Sequence, residues 1–82
     1  MENKSKRRTL YRVLRKTGVQ REAIQLDASF NDDLNFDQVD WTLFIYYLEG
    51  FFHIRLTDRE ISNMRMVSDT LTLIDKKEYV KN

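Results

Sequence analysis

The side chains that could take part in chemistry are few, and their spacing does not form a catalytic set. His53 is the only histidine and the chain has no cysteine, which excludes thiol nucleophiles, disulfides and multi-histidine metal sites. A catalytic histidine needs a nucleophile and a group that orients its ring, and no sequence neighbour supplies both. We therefore predict that the protein is not an enzyme.

A second candidate is the oxygen-rich segment that contains Asp32, Asp33 and Asp37. Clustered carboxylates can bind a divalent cation, but a calcium-binding loop requires a defined ligand spacing that this segment lacks. Asp and Asn also bond to their own backbone and favour turns. We therefore predict solvated turn residues here and no metal site.

The charges are divided unevenly along the chain, although the net charge is only +1. Residues 1–25 contain eight basic and two acidic residues, and residues 26–50 contain six acidic residues and no basic one. One interpretation is that a basic helix and an acidic loop attract each other within the fold. The other is a basic arm that contacts nucleic acid or an acidic protein. We favour the first, because basic runs are common on solvated helix faces.

Length and composition predict one small domain that covers residues 1–82, with frayed ends at residues 1–4 and 79–82. Hydrophobic residues make up 41% of the chain, which suits a globular core. No apolar run approaches the roughly 20 residues that cross a membrane, and the charged N-terminus leads into no signal-type stretch. We therefore expect a cytoplasmic protein without membrane contact.

Hydrophobic spacing predicts three longer helices, over residues 5–17, 37–52 and 67–77. Thr57 and Glu60 form a capping-box pattern that predicts a short additional helix, which ends near residue 63. The remaining segment, residues 19–36, is a long polar loop. Four apolar residues are expected to fasten this loop to the core: Ile24, Leu26, Phe30 and Leu34.

The second helix is apolar on more than one side. Its predicted core face consists of Trp41, Phe44, Ile45, Leu48, Phe51 and Phe52. A second side carries Val39, Leu43, Tyr46 and Tyr47. The long loop could cover this second side. Alternatively it contacts a partner or a second copy of the chain, which we favour because large exposed apolar patches are uncommon on monomers.

The segment from Ala28 to Asp40 resembles the central segment of the acyl carrier proteins. That family reads Ala-Ser-Phe, two variable or acidic residues, Asp-Leu, Gly, a variable residue, and then Asp-Ser-Leu-Asp. The similarity continues without gaps from Gly18 to Val67. The resemblance implies an all-α, acyl-carrier-protein-like four-helix bundle with three longer helices, one short helix and a long loop between the first two.

The family's serine carries the 4′-phosphopantetheine arm, and the resemblance places this serine at Gln38. An amide has no hydroxyl that could attack the pyrophosphate of coenzyme A. The nearest hydroxyls, those of Ser29 and Thr42, lie too far along the chain to replace it. We therefore predict that the arm is absent. Asn35 stands at the family's usual glycine, and asparagine also tolerates a positive φ.

These features predict a non-carrying interaction or regulatory module associated with fatty-acid or polyketide-type synthesis. Its partner would be a synthase component or a true acyl carrier protein, and the second helix could also form a homodimer. The predicted partner-binding residues are Asp37, Gln38, Val39, Asp40, Leu43, Tyr46 and Tyr47. One alternative is a non-covalent carrier of acyl chains. Another is a nucleic-acid contact through the first helix, which the acidic middle segment disfavours.

Overall fold

Four helices form the fold, as the sequence predicts. The computed structural model describes the backbone of residues 2–80 and the side chains of residues 5–77. The helices are α1 (Glu2–Thr17), α2 (Gln38–Phe52), α3 (Asp58–Ser62) and α4 (Val67–Val80). The ends that were predicted to fray lie outside residues 5–77, whose side chains are described, so the fraying stays a prediction.

Helix α1 begins three residues before the predicted start. It ends at Thr17, as predicted, directly before Gly18. Gly18 adopts a φ of 116°, a value that glycine reaches without steric cost. The Gly18 N–H donates to the Arg15 carbonyl at 3.0 Å, and the Val19 N–H donates to the Leu14 carbonyl at 3.0 Å. These two bonds form a Schellman motif, which satisfies the last carbonyls of the helix.

The long loop between α1 and α2 is fastened to the segment that joins α3 to α4. The Phe30 N–H donates to the Arg65 carbonyl at 2.9 Å, and the Val67 N–H donates to the Ala28 carbonyl at 3.0 Å. A third bond runs from the Ser68 N–H to the Leu26 carbonyl at 2.9 Å. The loop is therefore held by backbone hydrogen bonds as well as by its apolar side chains. A 3₁₀ turn at Arg21–Ala23, which the sequence pattern did not predict, shortens it.

A single apolar core draws on three helices and the loop. Ile24 and Phe30 are buried in it as predicted, whereas Leu26 and Leu34 are only partly buried. The core also takes Ala28 and Phe36 from the loop. Its fully buried apolar residues, which expose none of their surface, are Leu10, Val13, Leu14, Phe44, Leu48, Val67 and Ile74.

Helix α4 begins at Val67, as predicted, and its start depends on a carboxylate inside the first turn. One oxygen of Asp69 accepts the N–H groups of both Arg65 and Met66, each at 3.0 Å. The side chain thus reaches back to satisfy donors that a helix start leaves without partners. No cap was predicted here, because the usual signal is a capping residue that precedes the helix.

Helix α3 has the predicted capping box. The Glu60 carboxylate accepts the Thr57 N–H at 2.9 Å, and the Thr57 hydroxyl accepts the Glu60 N–H at 3.2 Å. Lys77 of α4 also contacts Glu60, at 2.9 Å. The backbone hydrogen bond from Thr57, followed by the Lys77 ammonium, lowers the pKa of Glu60 below its usual 4.5.

We expect the lowered pKa of Glu60 to make part of the free energy of unfolding depend on pH. A carboxyl group with a depressed folded-state pKa stabilises the fold above its unfolded pKa, and this contribution disappears as the pH falls through the folded value. Glu60→Gln keeps an acceptor oxygen but removes the charge. The melting temperature of the wild type is expected to exceed that of Glu60→Gln at pH 7, and the gap is expected to close below about pH 4. A gap that is the same at both pH values would contradict this account.

Within the described residues, no helix is long and apolar enough to cross a membrane.

Candidate functional site

Helix α2 begins with a reciprocal cap made by two carboxylates. The Asp40 N–H donates to Asp37 at 2.9 Å, and the Asp37 N–H donates to Asp40 at 3.1 Å. Both anions lie at the positive end of the helix dipole, where negative charge is stabilising. Gln38 is the first residue of the helix, and its side chain is exposed. The start of α2 is therefore rigid and presents an amide to solvent.

The two nearest hydroxyls are already used in local hydrogen bonds. The Thr42 hydroxyl donates to the Gln38 carbonyl at 2.9 Å. The Ser29 hydroxyl accepts the Asp32 N–H at 3.0 Å, within the loop. Neither side chain lies at the first position of the helix, so neither stands in for a hydroxyl there.

The turn that leads into α2 has the backbone conformation expected at Asn35. Its φ is 53°, in the left-handed region that asparagine tolerates better than most residues with a side chain. The loop therefore approaches the helix as it would with glycine at this position, and the prediction for Asn35 is confirmed.

Four aromatic rings fill the interior behind the start of α2. The ring centroid of Phe30 lies 4.8 Å from that of Trp41, 5.1 Å from that of Phe36 and 5.3 Å from that of Phe44. Their tilted and edge-to-face contacts are geometries that aromatic pairs favour. We call these four residues the aromatic cluster.

The outer face of α2 carries an apolar strip that the fold does not cover. Val39, Leu43 and Tyr46 have exposed fractions of 65%, 38% and 71%. They recur at helical spacing on the side opposite the buried Phe44 and Leu48, so the long loop packs elsewhere. We call Val39, Leu43 and Tyr46 the outer strip.

The other predicted partner-binding residues differ in accessibility. Asp37 and Gln38 are exposed, whereas Asp40 is partly buried and belongs to the cap. Tyr47 is partly buried against the core. Phe51 was predicted to face the core but exposes 36% of its surface. Its position at the edge of the buried face explains the difference, because one helical step rotates a side chain by about 100°.

The acidic residues of the loop and of the α2 start bond to the backbone. Asp33 accepts the Ser29 N–H at 2.7 Å, and Asp37 belongs to the cap. In the part of the chain that the structure describes, no three His, Cys, Asp or Glu side chains are grouped closely enough to hold a metal ion.

Among residues 5–77, the arginines of α1 do not pair with the acidic middle segment. Lys6 forms an ion pair with Asp75 of α4, at 2.8 Å. Arg7, Arg8, Arg12 and Arg15 are exposed, and among residues 5–77 no carboxylate pairs with them. The favoured interpretation of the charge pattern, a mutual attraction of basic helix and acidic loop, therefore does not appear as ion pairs.

Comparison with known proteins identifies the family. No family model matches the chain. The acyl carrier protein of Renibacterium salmoninarum is 36% identical over 62 residues, which is 76% of this chain and 76% of that protein. The acyl carrier protein of Buchnera aphidicola is 35% identical over 69 residues, 84% of this chain and 86% of that protein. A third, from Kocuria rhizophila, is 32% identical over 66 residues, 80% of this chain and 82% of that protein.

The chain belongs to the acyl carrier protein family. This finding and the helical bundle confirm the predicted fold class and the resemblance on which it rested. Acyl carrier proteins are carriers and not enzymes, in agreement with the prediction made from the side chains.

Members of this family normally carry 4′-phosphopantetheine, and they interact with synthase enzymes. The residues at the start of α2 do not fit covalent attachment of that arm. Attachment requires a hydroxyl, and the exposed side chain at the first helical position is the amide of Gln38. The first position of α2 therefore presents an amide and no hydroxyl.

Two features of this region were missed from the sequence. His53 ends α2 in a left-handed conformation with a φ of 56°, a role for which glycine is the usual signal. The ammonium of Lys16 lies 5.8 Å from the centre of the Tyr47 ring, which joins α1 to α2. No local pattern indicates a contact between side chains so distant in sequence.

Proposed function

We propose that this chain is a non-carrying member of the acyl carrier protein family that works by binding another protein. The observation behind the proposal is the exposed amide of Gln38 at the first position of α2. The cap formed by Asp37 and Asp40 supports it, because it fixes the backbone at the start of α2 while the side chain of Gln38 offers no hydroxyl.

The experiment is an attempt to load the wild-type chain. The protein is incubated with a broad-specificity phosphopantetheinyl transferase and coenzyme A, and its intact mass is measured. We expect no change in mass, while a true acyl carrier protein in the same tube is fully modified. A gain equal to the mass of the arm would overturn the proposal.

The proposed partner is a synthase component or a true acyl carrier protein of fatty-acid or polyketide-type synthesis. The outer strip is the proposed contact, together with Asp37, Gln38 and the edge formed by Asp40 and Tyr47. Exposed Tyr and large apolar side chains are typical of the centres of protein interfaces. Binding at this surface would let the chain occupy a site that it shares with true carriers.

We also expect the outer strip to allow weak self-association. Because the strip is small, we expect the dimer formed through it to be weak, with a dissociation constant of about 1 mM. In sedimentation velocity at high concentration, the wild type is expected to show a concentration-dependent dimer. Leu43→Glu is expected to remain monomeric, because it places a charge in the apolar contact. The control is Thr42→Glu, which adds the same charge beside the strip; equal sedimentation of wild type and Leu43→Glu would exclude self-association here.

The alternative of a non-covalent acyl carrier receives less support. An acyl chain that entered behind the start of α2 would have to displace the aromatic cluster, in which Phe30 exposes only 1% of its surface. Without a covalent tether, binding would depend on apolar burial of about 25 cal/mol per Å², and opening this cluster would oppose it.

A further inference from the structure

The outward side of α1 is basic around about half of its circumference. At about 100° per residue, its exposed cations cover an arc of about 180°, opposite the buried Leu10, Val13 and Leu14. They line an open surface depression of about 720 Å³. Its lining residues are Arg7, Arg8, Tyr11, Arg12, Arg15 and Lys16. We call the five cations of this set the basic face.

Among residues 5–77, no carboxylate forms an ion pair with a cation of the basic face. Lys6 and Lys77, which lie outside it, are each paired, with Asp75 and Glu60. The carboxylates of Asp37 and Asp40 accept each other's backbone N–H groups at the start of α2, and neither pairs with a cation of the basic face.

The basic face is continuous with the outer strip of α2. Lys16 lies over the Tyr47 ring, 5.8 Å from its centre, and the Tyr47 ring lies 5.5 Å from that of Tyr46 in an edge-to-face contact. The two helices thus present one surface, with cations on the α1 side and apolar groups on the α2 side. We call this the composite surface.

We propose that the composite surface binds an acidic amphipathic helix of a protein partner. The apolar side of that helix would cover the outer strip, and its carboxylates would contact the guanidinium groups of α1. Arginine suits this role because its planar group can form paired hydrogen bonds with a carboxylate. The inference rests on the proposed function and adds the chemistry of the partner to it.

Charge and composition favour a protein over a nucleic acid as the occupant. A nucleic-acid duplex could use the basic face but would leave Val39, Leu43 and Tyr46 uncovered, because the phosphates on its outer surface gain nothing from apolar contact. A partner with both carboxylates and apolar side chains uses the whole surface.

The test uses a designed helical peptide and the full-length chain. The peptide has about 18 residues, with Leu on one face and Glu on the other. A control peptide has the same composition, with Leu and Glu mixed around the helix. Each is titrated into the isotope-labelled protein at low salt, and amide chemical shifts are recorded. We expect the amphipathic peptide to bind about tenfold more tightly than the control and to shift signals of both α1 and the outer strip.

Two variants separate the inference from the proposed function. The triple change Arg8→Gln, Arg12→Gln and Arg15→Gln is expected to weaken peptide binding about tenfold, as the loss of three exposed charge contacts implies. Leu43→Glu is expected to weaken it as strongly. Arg59→Gln, which changes an exposed residue of α3, is the control and is expected to have no effect.

Each of the remaining outcomes contradicts one part of the proposal or of the proposed function. If Leu43→Glu abolishes binding and the arginine changes do not, the partner surface remains and the acidic partner is wrong. Equal affinity for the two peptides overturns the inference, as does a short DNA duplex that binds more tightly than the amphipathic peptide and shifts α1 alone. Loading of the arm in the mass experiment overturns the proposed function and leaves the peptide result to be judged by itself.

Discussion

Replacing Gln38 with serine is expected to make the chain a substrate for phosphopantetheinyl transferase. The substitution puts a hydroxyl at the exposed first position of α2, where the backbone is already fixed by the Asp37–Asp40 cap. The turn at Asn35 keeps the left-handed conformation that leads into the helix. The expected change is from no detectable modification to complete modification, measured by intact mass.

Two variants serve as controls for this result. Gln38→Ala removes the amide without adding a hydroxyl, and it is expected to remain unmodified. Thr42→Ser keeps a hydroxyl one helical turn further on and is also expected to remain unmodified, because group transfer is sensitive to shifts of about 1 Å. If Gln38→Ser also fails to gain the arm, the transferase needs further residues that α2 has lost, such as those now occupied by the outer strip.

The second large effect is expected at Phe30. Phe30→Ala removes the ring that contacts three other members of the aromatic cluster. Truncation of a buried phenylalanine costs about 3–5 kcal/mol. The whole domain is expected to have only about 4–12 kcal/mol of stability at its size. The variant is therefore expected to lose much or all of its folded population, as measured by urea denaturation followed by circular dichroism.

Phe51→Ala provides the matched control, because it deletes the same side chain at a position that is 36% exposed. Its loss is expected to be smaller, about 1–2 kcal/mol, since part of the side chain is already in water and no closed cavity forms. The backbone bonds of Phe30 to Arg65 and Phe36 do not involve the ring, so the difference between the variants measures packing. Equal destabilisation would show that the aromatic cluster is not the main interior contact.

The sequence predicts those parts of the fold that depend on local chemistry. Asp37, Thr57 and Gly18 mark helix ends through their own hydrogen bonds or backbone freedom, which residue type alone indicates. Asp69 caps α4 from inside the first turn, and His53 ends α2 in a conformation that its type does not favour. The sequence did not predict these two helix ends, because each depends on contacts in the assembled structure.

In the candidate site too, the sequence predicts the features that depend on residue type and spacing. Gln38 and the apolar excess on α2 can be identified from residue type and spacing alone. The sequence could not show that the described arginines of α1 form no ion pairs with the acidic segment, because this depends on how the helices pack. The same holds for the contact between Lys16 and Tyr47, which makes two separate surfaces continuous.

The backbone bonds between the long loop and the start of α4 also constrain how the protein is made. The Phe30 N–H and the Ala28 carbonyl find their partners in Arg65 and Val67, which leave the ribosome after the loop does. A nascent chain that stops before α4 therefore lacks these bonds, and contacts this distant in sequence are slow to form. The loop is thus fully fixed only after residues 65–68 have been made, and chaperones can bind Phe30 and its aromatic neighbours before then.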